Sequence, residues 1–290
     1  MSAAWCAAAT PWFGVRARWS MDRWSRGRTG RCRSSISPTP RAFSGSPPMR
    51  WRWSTAPGAS TGSASARPPA PPSEPAAEAA RGLRLDGLRI ARDGRRLLAL
   101  DLSVAPGTVA TVMGPSGAGK STLLAAILGV ADPVFTVSGR ILLDGADLCP
   151  LPPEARSVGM LFQDDVLFPH LSVGANLAFG LTPEVRGRAA RRARVEAALA
   201  EAELAGFAER DPATLSGGQR VRAALMRTLL SEPHALLLDE PFSRLDAALR
   251  ARIRGFVFAQ VRARGLPALM VTHDAADAEA AGGPVVEIGA

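Results

Sequence analysis

A short apolar run, Val109-Ala-Thr-Val-Met113, leads directly into Gly114-Pro-Ser-Gly-Ala-Gly-Lys-Ser121, and Lys120 to Leu128 then continues with helical composition. A fully apolar strand, a glycine-rich turn and a helix in that order leave few folds open. A strand buried on both faces belongs to a parallel sheet, and the helix is the start of its crossover. The turn matches G-x-x-x-x-G-K-[ST]. Its glycines let backbone N–H groups turn inward around an anion, and the helix N-terminus adds about half a positive charge. Lys120 is the only lysine in a chain with 35 lysines and arginines. A slim ammonium on a flexible stem reaches a phosphate oxygen inside a ring of N–H groups, where a planar guanidinium would collide. Lys120 is therefore expected to bridge the β- and γ-phosphates of a nucleotide, cradled by Gly114, Pro115, Ser116, Gly117, Ala118, Gly119 and Thr122. The Ser121 hydroxyl is expected to ligate Mg²⁺.

The net charge of +9 would suggest nucleic acid or a lipid surface if it were spread over the whole chain. It is not. Residues 1–80 hold 11 arginines against three acids (Asp22, Glu74, Glu78), and the remainder is within one charge of neutral. No nucleic-acid partner is expected of the folded part. All six tryptophans lie at or before Trp53, in a stretch rich in Arg, Ser, Pro and Gly without hydrophobic periodicity. Residues 1–82 are expected to be disordered, resembling a transit peptide or a lipid-binding tail in composition, or to precede a later true start. No apolar segment is long enough to span a bilayer. The three cysteines have no metal or disulfide spacing. The folded part, residues 83–290, reads as cytosolic.

Alternation in Leu83 to Ile90 and in Leu97 to Val104 predicts a pair of strands. Ser157–Phe162, Ala235–Leu238 and Pro267–Thr272 are further buried strands. Ala/Arg/Leu helices fill Pro183 to Leu230, and Asp246 to Arg264 is another helix. The expected fold is α/β: a P-loop NTPase with a mostly parallel sheet, an N-terminal antiparallel β element and an inserted helical subdomain at about 166–232.

Ala235-Leu-Leu-Leu-Asp239-Glu240 is an apolar strand ending in two acids, which a solvated strand end or a nearby cation can each explain. Beside a P-loop, Asp239 suits the Mg²⁺ site and Glu240 suits a general base that polarises water. Ser216, Gly217, Gly218 and Gln219 precede the helix Val221 to Leu230, a second helix start able to receive an anion. Two such helix ends with one P-loop suggest a head-to-tail pair of chains sharing two nucleotides.

Taken together, these segments resemble the ATPase subunit of an ABC transporter over about residues 83–290. The motifs follow the family order: the P-loop at 114–121, a Q-loop at Gln163, the signature at 215–219, the Walker B strand at 235–240, the D-loop Ser243-Arg-Leu-Asp246 and the H-loop His273. Pro212–Arg220 and Pro241–Asp246 are especially similar to the YnjD-like ATPases of binding-protein-dependent importers. The resemblance implies that Gln163 contacts Mg²⁺ or the lytic water and that His273 hydrogen-bonds the γ-phosphate. It also implies that Asp246 lies at the dimer seam and that the segment Phe168 to Asn176 lies near the permease-contacting surface. It implies ATP and Mg²⁺ as ligands. The partners it implies are a second copy, two transmembrane permease subunits and a solute-binding protein, at the cytoplasmic face of the inner membrane.

The chain departs from the family before the P-loop, where an aromatic side chain normally stacks on adenine. Here that neighbourhood is Ile90-Ala-Arg-Asp-Gly94, so stacking is lost or passes to Arg92, and weak discrimination between ATP and GTP is expected. Arg244 stands in the D-loop where a small residue is common, which would reinforce or crowd the dimer seam. With Ala290 soon after the last strand, no regulatory domain is expected. An exporter ATPase is the competing reading. A soluble ABC ATPase acting on ribosomes or DNA is another, although such chains typically carry tandem domains or long coiled coils.

Overall fold

The computed structural model describes residues 81–164 and 167–289, and the expectations for residues 1–80 fall outside them. Leu83–Arg92 (β1) turns back through Asp93-Gly94 into Arg95–Val104 (β2). Both turn residues have positive φ (49° and 75°), the conformation a two-residue hairpin needs to match strand twist. Val109–Met113 (β3) follows, then Lys120–Leu128 (α1) and Phe135–Leu143 (β4) with the short Ala146–Asp147 (β5). Strands β2, β1, β4 and β5 form one antiparallel sheet in that order. The hydrophobic pattern does not reveal β4, because the stretch 136–140 is exposed and shows no alternation. Backbone pairing to β1 holds it in place instead.

The second sheet takes Val158–Leu161 (β6), Ala235–Asp239 (β7), Ala268–Thr272 (β8), β3 and Val285–Glu287 (β9) in the order β6-β7-β8-β3-β9. All four pairings are parallel. Strand alternation divides its side chains between two cores. Ala235 and Leu237 of β7, with Leu269 and Val271 of β8, pack with α1 and the antiparallel sheet. Leu236, Leu238, Ala268 and Met270 face the opposite way, into the helical layer. Burial on both faces is why these strands are continuously apolar rather than alternating.

Between β6 and β7 the chain passes through Val173–Phe179 (α2), Arg188–Glu201 (α3) and Gly217–Leu229 (α4). Ala247–Ala263 (α5) and Ala275–Ala281 (α6) flank β8. Asn176 is fully buried and closes the segment that enters α2. Its amide donates to the carbonyls of Phe168, Leu171 and Ser172, each at 3.1 Å, and its oxygen accepts from the Phe168 N–H at 2.7 Å. Among the described residues, no helix is long and apolar enough to cross a membrane.

Candidate nucleotide site

Parallel register brings the ends of three strands level. Met113 of β3 pairs with Thr272 of β8, and Asp239 of β7 pairs with Val271. The residues that follow (Gly114, Glu240 and His273) therefore leave the sheet side by side at its carboxyl edge, the edge where open α/β sheets bind ligands.

The turn after β3 is built by close approach and by left-handed backbone. A Cβ on Gly114 would lie 2.6 Å from the Ile288 carbonyl, so no side chain fits there. Gly117 and Gly119 sit at φ 85° and 90°, and Gly119 starts α1 without any side-chain cap. The first N–H groups of a helix have no intrahelical partner, so α1 presents them uncapped at the mouth of the turn. Lys120 folds back over this loop and is 7% exposed. Its Nζ donates to the carbonyls of Gly114 (2.6 Å) and Pro115 (3.1 Å) and lies 3.7 Å from a Glu240 carboxylate oxygen.

Glu240 is a non-glycine residue at φ 42°, a conformation that costs energy unless its surroundings fix it. Here the Glu240 N–H donates to Val271 O at 3.0 Å, and its carbonyl accepts from Ser243 Oγ at 3.0 Å and Ser243 N–H at 3.2 Å. The strained turn holds the carboxylate between two cationic or protonatable groups. One oxygen faces Lys120, and the other is 3.1 Å from His273 Nδ1. Burial holds the neighbouring Asp239 carboxyl above its usual range. The Glu240 charge adds to that shift, and Lys120 pulls the other way.

Lys120, Glu240 and His273 thus form one constellation, with Ser116, Gly117, Gly119, Ser121 and Thr122 around it. Asp239, Gly114, Pro115 and Ala118 adjoin it, and the remaining predicted residues lie elsewhere. Gln163 lines a different cavity of about 310 Å³ with Gly217, Pro241 and Leu245. Ser216 opens α4 as a capping box: its Oγ accepts from Gln219 N–H, and the Gln219 side chain accepts from Ser216 N–H at 2.9 Å. The S-x-x-Q spacing could have signalled this box. A Cβ on Gly218 would come within 2.8 Å of Leu249 and 3.0 Å of Ile253, so this glycine also lets α4 press against α5. Asp246 caps α5, accepting from Leu249 N–H at 3.0 Å. Arg244 forms an ion pair with Asp164 within the same chain, both side chains being about two-thirds exposed.

Hard oxygen donors are the right kind for Mg²⁺, and a cation bound beside substrate phosphates needs only one or two carboxylates. The described residues contain no group of three or more His, Cys, Asp or Glu suited to a metal. A half-buried Asp239 one residue from Glu240 fits this sparse donor set, since a cation there would offset the burial and the Glu240 charge that disfavour its ionised form.

Sequence reasoning named Arg92 near the base but missed Leu97 and Phe135 beside it. The cavity beside the P-loop, of about 390 Å³, is lined by Arg92, Leu97 and Phe135 as well as by the P-loop residues. Phe135 opens a strand that hydrophobic pattern does not reveal. The only available signal was that it is the first aromatic residue after the P-loop.

A family model described as ABC transporter matches residues 97–243. The ABC transporter ATP-binding protein YnjD of Escherichia coli (strain K12) is 47% identical over 188 residues, which is 65% of this chain and 86% of that protein. A thiamine import ATP-binding protein, ThiQ, of Cereibacter sphaeroides is 48% identical over 196 residues, 68% of this chain and 83% of its own. An Fe(3+) ions import ATP-binding protein, FbpC, of Rhizobium etli is 46% identical over 175 residues, 60% of this chain but 49% of its own length.

Proposed function

The chain belongs to the ABC transporter family as an ATP-binding transport ATPase, and we propose that it powers solute import as a homodimer beneath two membrane-embedded permease subunits. The observation that carries this reading is the placement of Lys120, Glu240 and His273 around the uncapped start of α1. The Gly114–Thr122 turn and the α1 N-terminus cradle the phosphates, and Lys120 bridges the β- and γ-oxygens. Ser121 and Asp239 would hold Mg²⁺, and Gln163, which lines the other cavity, would join them once its loop closes toward the P-loop; the ion would supply positive charge against the phosphates. Glu240 accepts a proton from the attacking water as general base, and His273 hydrogen-bonds the γ-phosphate and orients Glu240.

Ser216 to Gln219 belong to the opposite half-site. The α4 start borders the Gln163 cavity rather than the one beside Lys120, so a single chain offers its two anion-receiving ends to different nucleotides. A head-to-tail pair completes both, with Asp246 at the seam. Import is favoured by relatives that bear thiamine, Fe(3+) and spermidine/putrescine import in their names, which brings a solute-binding protein into the complex. The chain then works as a peripheral subunit on the cytoplasmic face of the inner membrane. The surface that takes the permease is the α2 region, where Phe179 is 68% exposed with its ring edge-on to Phe168.

The test is Glu240→Gln, assayed for ATP binding and for phosphate release. The amide keeps the size and the Lys120 contact but cannot accept the proton. Binding is expected to persist while turnover falls at least 100-fold, in the range typical of a lost general base. Turnover near the wild-type rate would remove Glu240 from the base role.

A further inference from the structure

Arg92, Leu97 and Phe135 line the cavity from three strands, and their composition matches neither a phosphate nor a metal site. Arg92 at the end of β1 is the register partner of Phe135 at the start of β4, so their side chains share one face of the sheet. On β2 the register jumps: Ile90 pairs with Leu98 and Ala91 with Arg96, leaving Leu97 as the extra residue of a bulge. A bulge re-aims the side chain it inserts, and Leu97 is 41% exposed at the cavity wall rather than in the core beside its neighbour Leu98. Phe135 is fixed from below by packing against the core that contains Leu83 and Leu124. Its approach is set by an Asx turn, in which Asp132 accepts from Val134 N–H at 2.9 Å. The backbone closes the same turn, with Phe135 N–H donating to Asp132 O at 2.9 Å.

We propose that Arg92, Leu97 and Phe135 form a stacking platform for the nucleotide base, with Phe135 as the ring that supplies the principal face. This rests on the reading of the Gly114–Ser121 turn as the triphosphate cradle. Phosphates held at the α1 N-terminus leave the rest of the nucleotide to occupy the same cavity, whose strand-borne lining is apolar with one flat cation. A base is the part of a nucleotide that gains from such a surface, by stacking on a ring and under a guanidinium. The Arg92 guanidinium is available for it, since its contact with Asp93 is 3.6 Å between two exposed side chains and is worth little in water. None of the three wall residues carries a carboxylate or amide to read the edge of the base. With the Arg92 guanidinium lying flat on the base rather than donating to its edge, the platform accepts adenine and guanine alike.

The experiment is calorimetric titration of the full chain with ATP, GTP and inorganic tripolyphosphate. The wild-type protein is expected to bind ATP and GTP within about fivefold of each other and both more tightly than tripolyphosphate. Phe135→Ala is expected to weaken both nucleotides about tenfold, at the low end of what a stacked base contributes, and to leave tripolyphosphate unchanged. Phe135→Leu keeps most of the packing volume but lacks the ring and should show the same selective loss. Phe135→Trp should retain nucleotide affinity. Unchanged ATP affinity in Phe135→Leu, or an equal loss for tripolyphosphate, would overturn the platform while leaving the phosphate cradle intact. A wild-type chain that bound neither ATP nor tripolyphosphate would overturn the cradle itself.

Discussion

At the scale of single residues, the site is held together by charge placed where solvent is scarce. Lys120 reaches three acceptors from an almost buried position: two carbonyls of its own loop and the Glu240 carboxylate. An arginine would keep the charge but bring a wide, planar head to a space shaped for a point-like ammonium. Lys120→Arg is accordingly expected to lower ATP turnover on the order of 100-fold, measured by phosphate release. Asp239 sets a second test. Because burial and Glu240 disfavour its charge, the folded chain holds the Asp239 proton to higher pH than the unfolded chain does. Its ionisation then costs stability as pH rises through the folded-state pKa, and that cost is absent below the unfolded value. Asp239→Asn should therefore melt above the wild type at pH 7 in nucleotide-free, metal-free buffer. The advantage should close as the pH falls toward the usual aspartate value of 3.8. A constant difference across that range would mean the gain comes from something other than the charge.

At the scale of elements, α1 must be anchored at both ends for its N-terminus to present N–H groups in a fixed direction. The carboxyl end is fastened by Arg156, which lies beyond β5. Its Nη1 donates to Ala126 O (2.9 Å) and Ile127 O (2.8 Å), and its Nε donates to Leu151 O (3.0 Å). A buried cation on the last carbonyls of a helix also complements the negative end of the helix dipole. Gly129, at φ 82°, closes the helix beside it. The guanidinium stands where a Cβ on Gly129 would lie 2.6 Å from Arg156, so the two residues require each other's shape. Arg156→Ala leaves buried carbonyls unpaired and is expected to destabilise the chain by about 3 kcal/mol. In a domain of this size that is a fall in Tm of roughly 6–12 °C. Arg156→Lys should recover only part of this, because one ammonium cannot serve carbonyls on two segments. Full recovery in denaturation midpoints would show that charge alone suffices.

At the scale of the whole molecule, the α4 start lies with Gln163 and the D-loop segment around one cavity, and the P-loop lies with Glu240 around another. In one copy the signature start and the P-loop line separate cavities, so the proposed shared site draws on a second copy. Glu240→Gln with ATP is therefore expected to sediment as a dimer, and the same variant without nucleotide as a monomer. A monomer under both conditions would remove the shared-site arrangement. The same scale explains why several residues carry two duties. Gly218 admits Leu249 and Ile253 at the α4–α5 contact, and Asp246 caps α5. A substitution at either will move stability as well as any effect on a nucleotide, so neither alone isolates the dimer.

Local chemistry made the parallel sheet, the P-loop, the paired acids at the end of β7 and the α4 start legible in the sequence. Each is written in consecutive residues, as an apolar run, a glycine spacing or a capping pattern. Tertiary structure decided three other things. It turned Glu240 into a left-handed backbone position locked by Val271 and Ser243. It made Arg156, 27 residues past Gly129, the fastening of the P-loop helix. It carried Phe135 across to Arg92 through a strand whose exposed middle hides it from any periodicity. Residues distant in sequence become neighbours only through strand register and helix packing. Those are fixed by burial summed over the whole core, which no short window of sequence contains.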